Sequence, residues 1–184
     1  LFQASQSEIF TIIEEGSLWK YLDDGSDQGS AWIAIGFDDD NWGSGYAELG
    51  YGDDDEATII EYGPDEDNKH ITTYFRKVFT IDEPEYIHEI NARLVRDDGA
   101  IVYLNGIEII RDNMPTGIIS YNTQAGDAVS SSEEEMFHDW SVPVSLLNNG
   151  HNIIAVEIHQ VDESSSDISF NFELTAITYV DIVL

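Results

Sequence analysis

Four groups of acidic residues are the side chains best suited to chemistry: Asp23, Asp24 and Asp27; Asp38, Asp39 and Asp40; Asp53, Asp54, Asp55 and Glu56; and the adjacent pair Asp97 and Asp98. Clustered carboxylates among loop carbonyls are the hard oxygen donors that Ca²⁺ selects. Crowding three like charges into one loop also costs energy that a divalent cation offsets. The sequence therefore predicts at least one bound Ca²⁺, with Asp23, Asp27, Asp38, Asp53, Asp55, Asp97 and Asp98 as candidate ligands. Taken singly, each cluster also reads as solvated loop charge. None is an EF-hand: counted from Asp38, the sixth position is Gly43 but the twelfth is Leu49, where that loop needs Glu.

Catalytic signatures are missing. The five histidines (His70, His88, His138, His151 and His159) have no HExxH spacing, there is no GxSxG elbow, and no glycine-rich phosphate loop precedes a helix. The chain contains no cysteine, which excludes thiol catalysis, Cys-based zinc sites and disulfides. With 37 Asp and Glu residues a carboxylate pair at glycosidase spacing stays open as an alternative, but nothing singles one out.

These side chains must be positioned by strands and turns. Thr73–Ile81, Glu89–Val95, Ala100–Asn105, Ile107–Ile110, Asn152–His159 and Ile168–Ile177 are rich in β-branched and aromatic residues, and Asp98-Gly99, Asn105-Gly106 and Asn149-Gly150 punctuate them. Asn105-Gly106 predicts a hairpin, since a type I′ turn needs positive φ at both central residues. No window sustains helical periodicity, and Ser130–Glu135 reads as a solvated loop. The pattern predicts an all-β sandwich or jelly roll of about eight strands. The first third carries Trp19, Trp32 and Trp42 among Gly, Ser and Asp clusters, which predicts long loops that pack on the sandwich or carry a site.

Alternation gives two faces. Ile154, Val156 and Ile158 share one, and Ala155, Glu157 and His159 the other; Phe75, Lys77 and Phe79 oppose Tyr74, Arg76 and Val78. A face mixing Tyr74, Arg76, Glu157 and His159 suits sugars, whose hydroxyls take paired hydrogen bonds and whose apolar faces stack on rings. The competing expectation is an Arg76–Glu157 cross-strand ion pair on an ordinary exposed face.

A length of 184 residues fits one domain at roughly 150 residues each. We read residues 8–177 as the sandwich, Leu1–Ser7 as a signal-peptide remnant, a tag or a frayed terminus, and 178–184 as an extension or linker. No stretch approaches the roughly 20 apolar residues that span a bilayer. The net charge is −30. Nucleic acid and anionic membranes are therefore unsuitable partners, since both require a basic surface. The few cations concentrate in the middle: residues 69–111 hold six of seven, including Arg76, Arg93 and Arg96, and residues 112–184 hold none.

Phe37-Asp38-Asp39-Asp40-Asn41-Trp42, Leu49-Gly50-Tyr51-Gly52, Thr73–Phe79, Val102-Tyr103-Leu104-Asn105-Gly106 and Gly150–Glu157 together resemble, in order, the galactose-binding-like jelly rolls. These include sugar-binding domains of family 2 glycoside hydrolases and accessory modules of secreted bacterial polysaccharide enzymes. The resemblance covers residues 17–175. It implies a sandwich that often carries one structural Ca²⁺ and often a carbohydrate site at the loop tips or on the concave face. Asp97-Asp98-Gly99 also resembles the paired-acid turn of PA14-type lectin domains, where two adjacent Asp hold a Ca²⁺ that meets sugar hydroxyls.

The resulting expectation is a non-catalytic, monomeric, calcium-stabilised carbohydrate-binding module of a larger secreted bacterial protein. Its partners would be a neutral polysaccharide or glycan and the neighbouring domains of its parent. At the tip, Trp42 and Tyr51 would stack on sugar while Arg96, Asn113 and the acids bind hydroxyls; Tyr74, Arg76, Glu157 and His159 form the concave-face alternative. A spacer or adhesion module without a ligand, and a hydrolase using an Asp/Glu pair, are the competing readings.

Overall fold

The computed structural model describes residues 3–129 and 131–183, with side chains described for 6–129 and 132–179. Twelve strands form two sheets: β1 (Gln3–Ile13), β2 (Leu18–Leu22), β3 (Gly43–Tyr46), β4 (Leu49–Tyr51), β5 (Thr58–Ile59), β6 (Thr72–Ile81), β7 (Ile87–Asp97), β8 (Gly99–Leu104), β9 (Ile107–Asp112), β10 (His138–Val142), β11 (Gly150–His159) and β12 (Ile168–Val183). One sheet runs β10-β7-β12-β4-β5, with β1 also paired to β12; the other runs β3-β2-β6-β11-β8-β9. All pairs are antiparallel except β4 with β5. This is the expected sandwich, with more strands than anticipated because the first third adds short edge strands. Among the described residues no helix is long and apolar enough to cross a membrane.

The alternating residues do what their period requires. Phe75 of β6 stacks on Phe170 of β12 with ring centroids 4.2 Å apart, joining the two sheets. Trp19 meets Phe170 and Phe172 edge-on at 4.9 and 5.8 Å. Leu49, Ile90, Leu94, Val102, Leu104, Ile154, Val156 and Leu174 complete this core. At the β8–β9 hairpin, Asn105 (φ 52°) and Gly106 (φ 82°) take the predicted left-handed conformations. Asn105 also pins the turn to β11, accepting from the Ile153 N–H and donating to Asn152.

Two sequence expectations change here. Residues 3–7 and 178–183, set apart as termini, pair with each other as the outer half of the β1–β12 ribbon; Leu1, Phe2 and Leu184 lie outside the described residues. The segment read as a loop from Ser130 contains a single helical turn, α1 (Ser131–Glu134). Ser130 itself lies outside the described residues.

Candidate functional site

The second sheet's outer face is covered by its own loops. Trp32, from a 3₁₀ turn at Ala31–Ile33, packs on Tyr74 (4.7 Å) and edge-on to Tyr103 (5.8 Å). Trp42 joins Tyr74 and Phe37 in the same cluster, with Tyr121 at its margin. The loop is tied down by Arg76. Its Nε donates to Asp39 Oδ2 at 2.6 Å, and its Nη1 donates to the Trp32 and Ala34 carbonyls. The guanidinium also lies 5.1 Å from the Phe37 ring. Arg76 is 1% exposed and stands opposite Ala155 in the strand register. The expected Arg76–Glu157 pair is therefore replaced by Arg76–Asp39. The sequence hid this because the partner lies 37 residues upstream in a loop.

What stays open is a cleft of about 360 Å³ lined by Asp27, Ser30, Trp32, Tyr74, Tyr103, Ser120, Tyr121 and Glu157, among others. Glu157 is held firmly at its floor: Tyr103 donates its hydroxyl to Oε1 at 2.7 Å, and His159 Nε2 lies 3.3 Å from Oε2. His159 is fully buried behind it, with Nδ1 2.7 Å from the Thr123 carbonyl and 3.0 Å from Thr72 Oγ1. Burial and the nearby Glu157 charge push the Tyr74 and Tyr103 hydroxyls upward, so both remain protonated donors. The cleft thus offers the half-buried Tyr103 and Tyr121 rings and acceptor groups, with Trp32 and Tyr74 buried behind them and no Lys or Arg among the described lining residues.

A second site lies at the tip of the first sheet. Asp98 is buried and fully engaged: Val129 N–H donates to Oδ1 at 2.8 Å, Val161 N–H to Oδ2 at 2.7 Å, and Ser165 Oγ adds a third bond. Asn113 donates to the Asp98 and Asp127 carbonyls and accepts from the Asp127 N–H. Both residues knit loops together. Arg96 pairs with Asp112 (2.7 Å) and Glu133 (3.0 Å), which fixes α1. Asp97 is 1% exposed, and its Oδ2 has no hydrogen-bond partner. Burial first, then the charges of Asp98 and Asp167, push its carboxyl up to about 9.

Among the described residues two carboxylate groups converge within 4.8 Å: Asp53, Asp55 and Glu56; and Asp53, Glu134 and Asp167. Three other predicted ligands are spent on backbone N–H groups. Asp23 accepts from the Glu61 N–H, Asp27 from Gly29 and Asp38 from Asp40, the last two as short side-chain turns. Trp42 and Tyr51, expected to stack on sugar together, are each 8% exposed and belong to different clusters. Tyr51 sits in the main core, where its hydroxyl accepts from Gln160. The structure brings Tyr74, Glu157 and His159 together on one face as alternation predicts. It adds Trp32, Tyr103 and Tyr121, whose convergence no local pattern announces.

No family model and no curated protein sequence matches the chain. Solved structures do. A Bacteroides uniformis β-glucuronidase matches at TM-score 0.59 and 18% identity, over 93% of this chain and 18% of that one. A calcium-binding mutant of Bacteroides uniformis β-glucuronidase 2 matches at TM-score 0.59 and 16% identity with the same coverage. An uncultured Clostridium sp. β-glucuronidase matches at 0.51 and 12%, over 94% and 29%. The chain thus has the fold of a β-sandwich domain that makes up less than a third of those enzymes.

Proposed function

We propose that the chain is a non-catalytic carbohydrate-binding module of the galactose-binding-like kind, whose glycan lies in the Trp32–Tyr74–Tyr103–Tyr121–Glu157 cleft. The observation that carries this reading is the cleft itself: the half-buried rings of Tyr103 and Tyr121 for sugar faces and an oriented Glu157 carboxylate for hydroxyls, with Tyr103 and Glu157 on the paired strands β8 and β11. Its lining carries Asp27 and Glu157 with no cation, which disfavours sulfated or uronic chains and favours a neutral polysaccharide. The likeness to a small share of each β-glucuronidase supports a module that works beside other domains of a larger protein, and the acidic tip supports a calcium-stabilised one; that the parent is a secreted bacterial protein and the module monomeric is part of the proposal.

The test is a glycan array followed by titration calorimetry. A neutral polysaccharide should bind, and Tyr121→Ala and Glu157→Gln should each weaken it by about tenfold or more, the scale of losing one stacking or one charged hydrogen bond. Absence of any glycan hit with Ca²⁺ present would favour the spacer reading, which the loop-covered outer face also fits.

A further inference from the structure

We propose that the second sheet carries an anion site for a sugar acid, in the groove where β2 and β6 set Lys20 opposite Arg76. It is separate from the glycan cleft and does not depend on it. The groove encloses about 290 Å³ and is lined by Leu18, Lys20, Asp39, Ser44, Arg76 and Val78, among others. Lys20 stands opposite Arg76 on one side and Ser44 of β3 on the other, so two cations and a hydroxyl share one cross-strand row. Like charges directly opposite each other destabilise a sheet. A chain with 37 acids had ample carboxylates to set beside Lys20, and it sets one of its seven basic residues there.

Both cations keep donors unspent. A guanidinium has five N–H groups. In the buried Arg76, Nε donates to Asp39 and Nη1 to the Trp32 and Ala34 carbonyls, while Nη2 has no acceptor among the described residues. Lys20 is half-buried, and among the described residues it is the one cation whose head meets no partner. Arg76, Arg93, Arg96 and Arg111 each have a carboxylate. Lys69 and Lys77 donate to the Ser165 and Leu18 carbonyls, both at 2.6 Å. Arg76 and Lys20 both form the groove wall, so an oxyanion seated there meets the free donors of each.

The surroundings select the rest of the molecule. Leu18 and Val78 border the groove and are 47% and 50% exposed. Tyr46, 62% exposed, stands opposite Leu18, so β3 presents the Ser44 hydroxyl and the Tyr46 ring two residues apart on the same face. A pyranose uses all of these: its C–H face lies on the ring and the apolar border, a hydroxyl meets Ser44, and its carboxylate takes the free N–H groups. An inorganic anion uses only the cations, and an acidic side chain of another protein has neither a hydroxyl for Ser44 nor a ring face for Tyr46. Asp39 already balances the Arg76 charge, and the Lys77 ammonium is held on the Leu18 carbonyl near the Trp19 ring. The charge left to balance at the row is that of Lys20, which suits a monoanionic carboxylate.

The experiment titrates the ¹⁵N-labelled 184-residue chain with sodium glucuronate, glucose, sodium sulfate and an acetylated glutamate amide, following the backbone amide shifts of Lys20, Ser44, Arg76 and Val78 by NMR. Glucuronate should move these amides to saturation at lower concentration than the other three. Lys20→Gln should weaken it about tenfold or more, the scale of one charge-assisted hydrogen bond. Val78→Glu, which sets a carboxylate on the groove border, should do the same and carries the comparison if Lys20→Gln disturbs β2. Arg111→Gln, with the same net charge as Lys20→Gln, should bind as wild type does. Unmoved amides with glucuronate, or wild-type affinity in both groove variants, would overturn the site. Glucose binding there as well as glucuronate would overturn the role of charge, and tighter binding of sulfate or of the glutamate amide would overturn the sugar acid as its ligand.

Discussion

Asp97 and Ser169 stand opposite each other across β7 and β12, and Ser169 ties the end of the sheet to the Asp53 turn by donating its hydroxyl to Asp53 Oδ2 at 3.3 Å. Neighbours one residue away behave oppositely. Asp98 takes three hydrogen bonds that hold the loops around residues 129, 161 and 165, whereas Asp97 is buried with an oxygen unmet. Two adjacent acids in sequence thus have opposite surroundings: one organises loops, and the other is buried with an oxygen that no donor meets.

The first prediction concerns pH in the presence of chelator. Burial, with Asp98 and Asp167 adding repulsion, raises Asp97 to about 9, and burial raises Glu48 to about 6. For an acid whose folded value is raised, the native state keeps its proton while the unfolded chain has already released it. The unfolded state then binds fewer protons, so stability falls as pH rises, from about 4 up to about 6 for Glu48 and on toward about 9 for Asp97. Urea unfolding between pH 5 and 9 should show that decline, and Asp97→Asn should flatten its upper part. A stability that is level or rising over this range, in wild type without metal, would contradict the buried, unpaired state of Asp97.

How far the sequence foretells this molecule depends on the range of the interaction. The β8–β9 hairpin was legible because Asn105-Gly106 specifies its turn locally, and β6 and β11 because one buried face alternates with period two. Tyr74, Glu157 and His159 were placed together by that period alone. The use of Arg76 was not legible, since its carboxylate comes from Asp39 in a loop without regular structure. Glu134 and Asp167 escaped notice for a related reason. Glu134 lies in the Glu133–Glu135 run, which reads as solvated loop, and only the packing of the 161–167 loop against the β4 turn brings Asp167 to Asp53.

A second prediction tests the anchoring of the aromatic loop. Arg76→Met removes the ion pair and the bonds to two carbonyls, leaving Asp39 uncompensated. Asp39 is 20% exposed and regains water, so the loss should sit near the low end for breaking a buried pair, about 3 kcal/mol. Because Trp32 and Trp42 lie under the same loop, their emission should move to longer wavelength in the folded variant, and glycan affinity should fall with it. A change below about 1 kcal/mol with unmoved emission would show that the loop is held by ring packing alone.

The third prediction uses two glycines with similar backbones and different surroundings. Gly52 (φ +115°) and Gly117 (φ +102°) both occupy conformations that side chains resist. A Cβ on Gly117 meets nothing within 4 Å, whereas one on Gly52 would stand 2.6 Å from the Asp167 Cβ and 2.9 Å from its Cα. Gly117→Ala should therefore cost only backbone strain, about 1 kcal/mol, and leave Ca²⁺ affinity untouched. Gly52→Ala carries similar strain plus a clash with main chain, so it should cost about 1–3 kcal/mol more and displace Asp167 from Asp53 and Glu134. Calorimetry should then find Ca²⁺ binding weakened in Gly52→Ala and normal in Gly117→Ala. Equal losses of stability, with equal affinities, would mean that the tip tolerates movement of Asp167 and that its carboxylates do not act together.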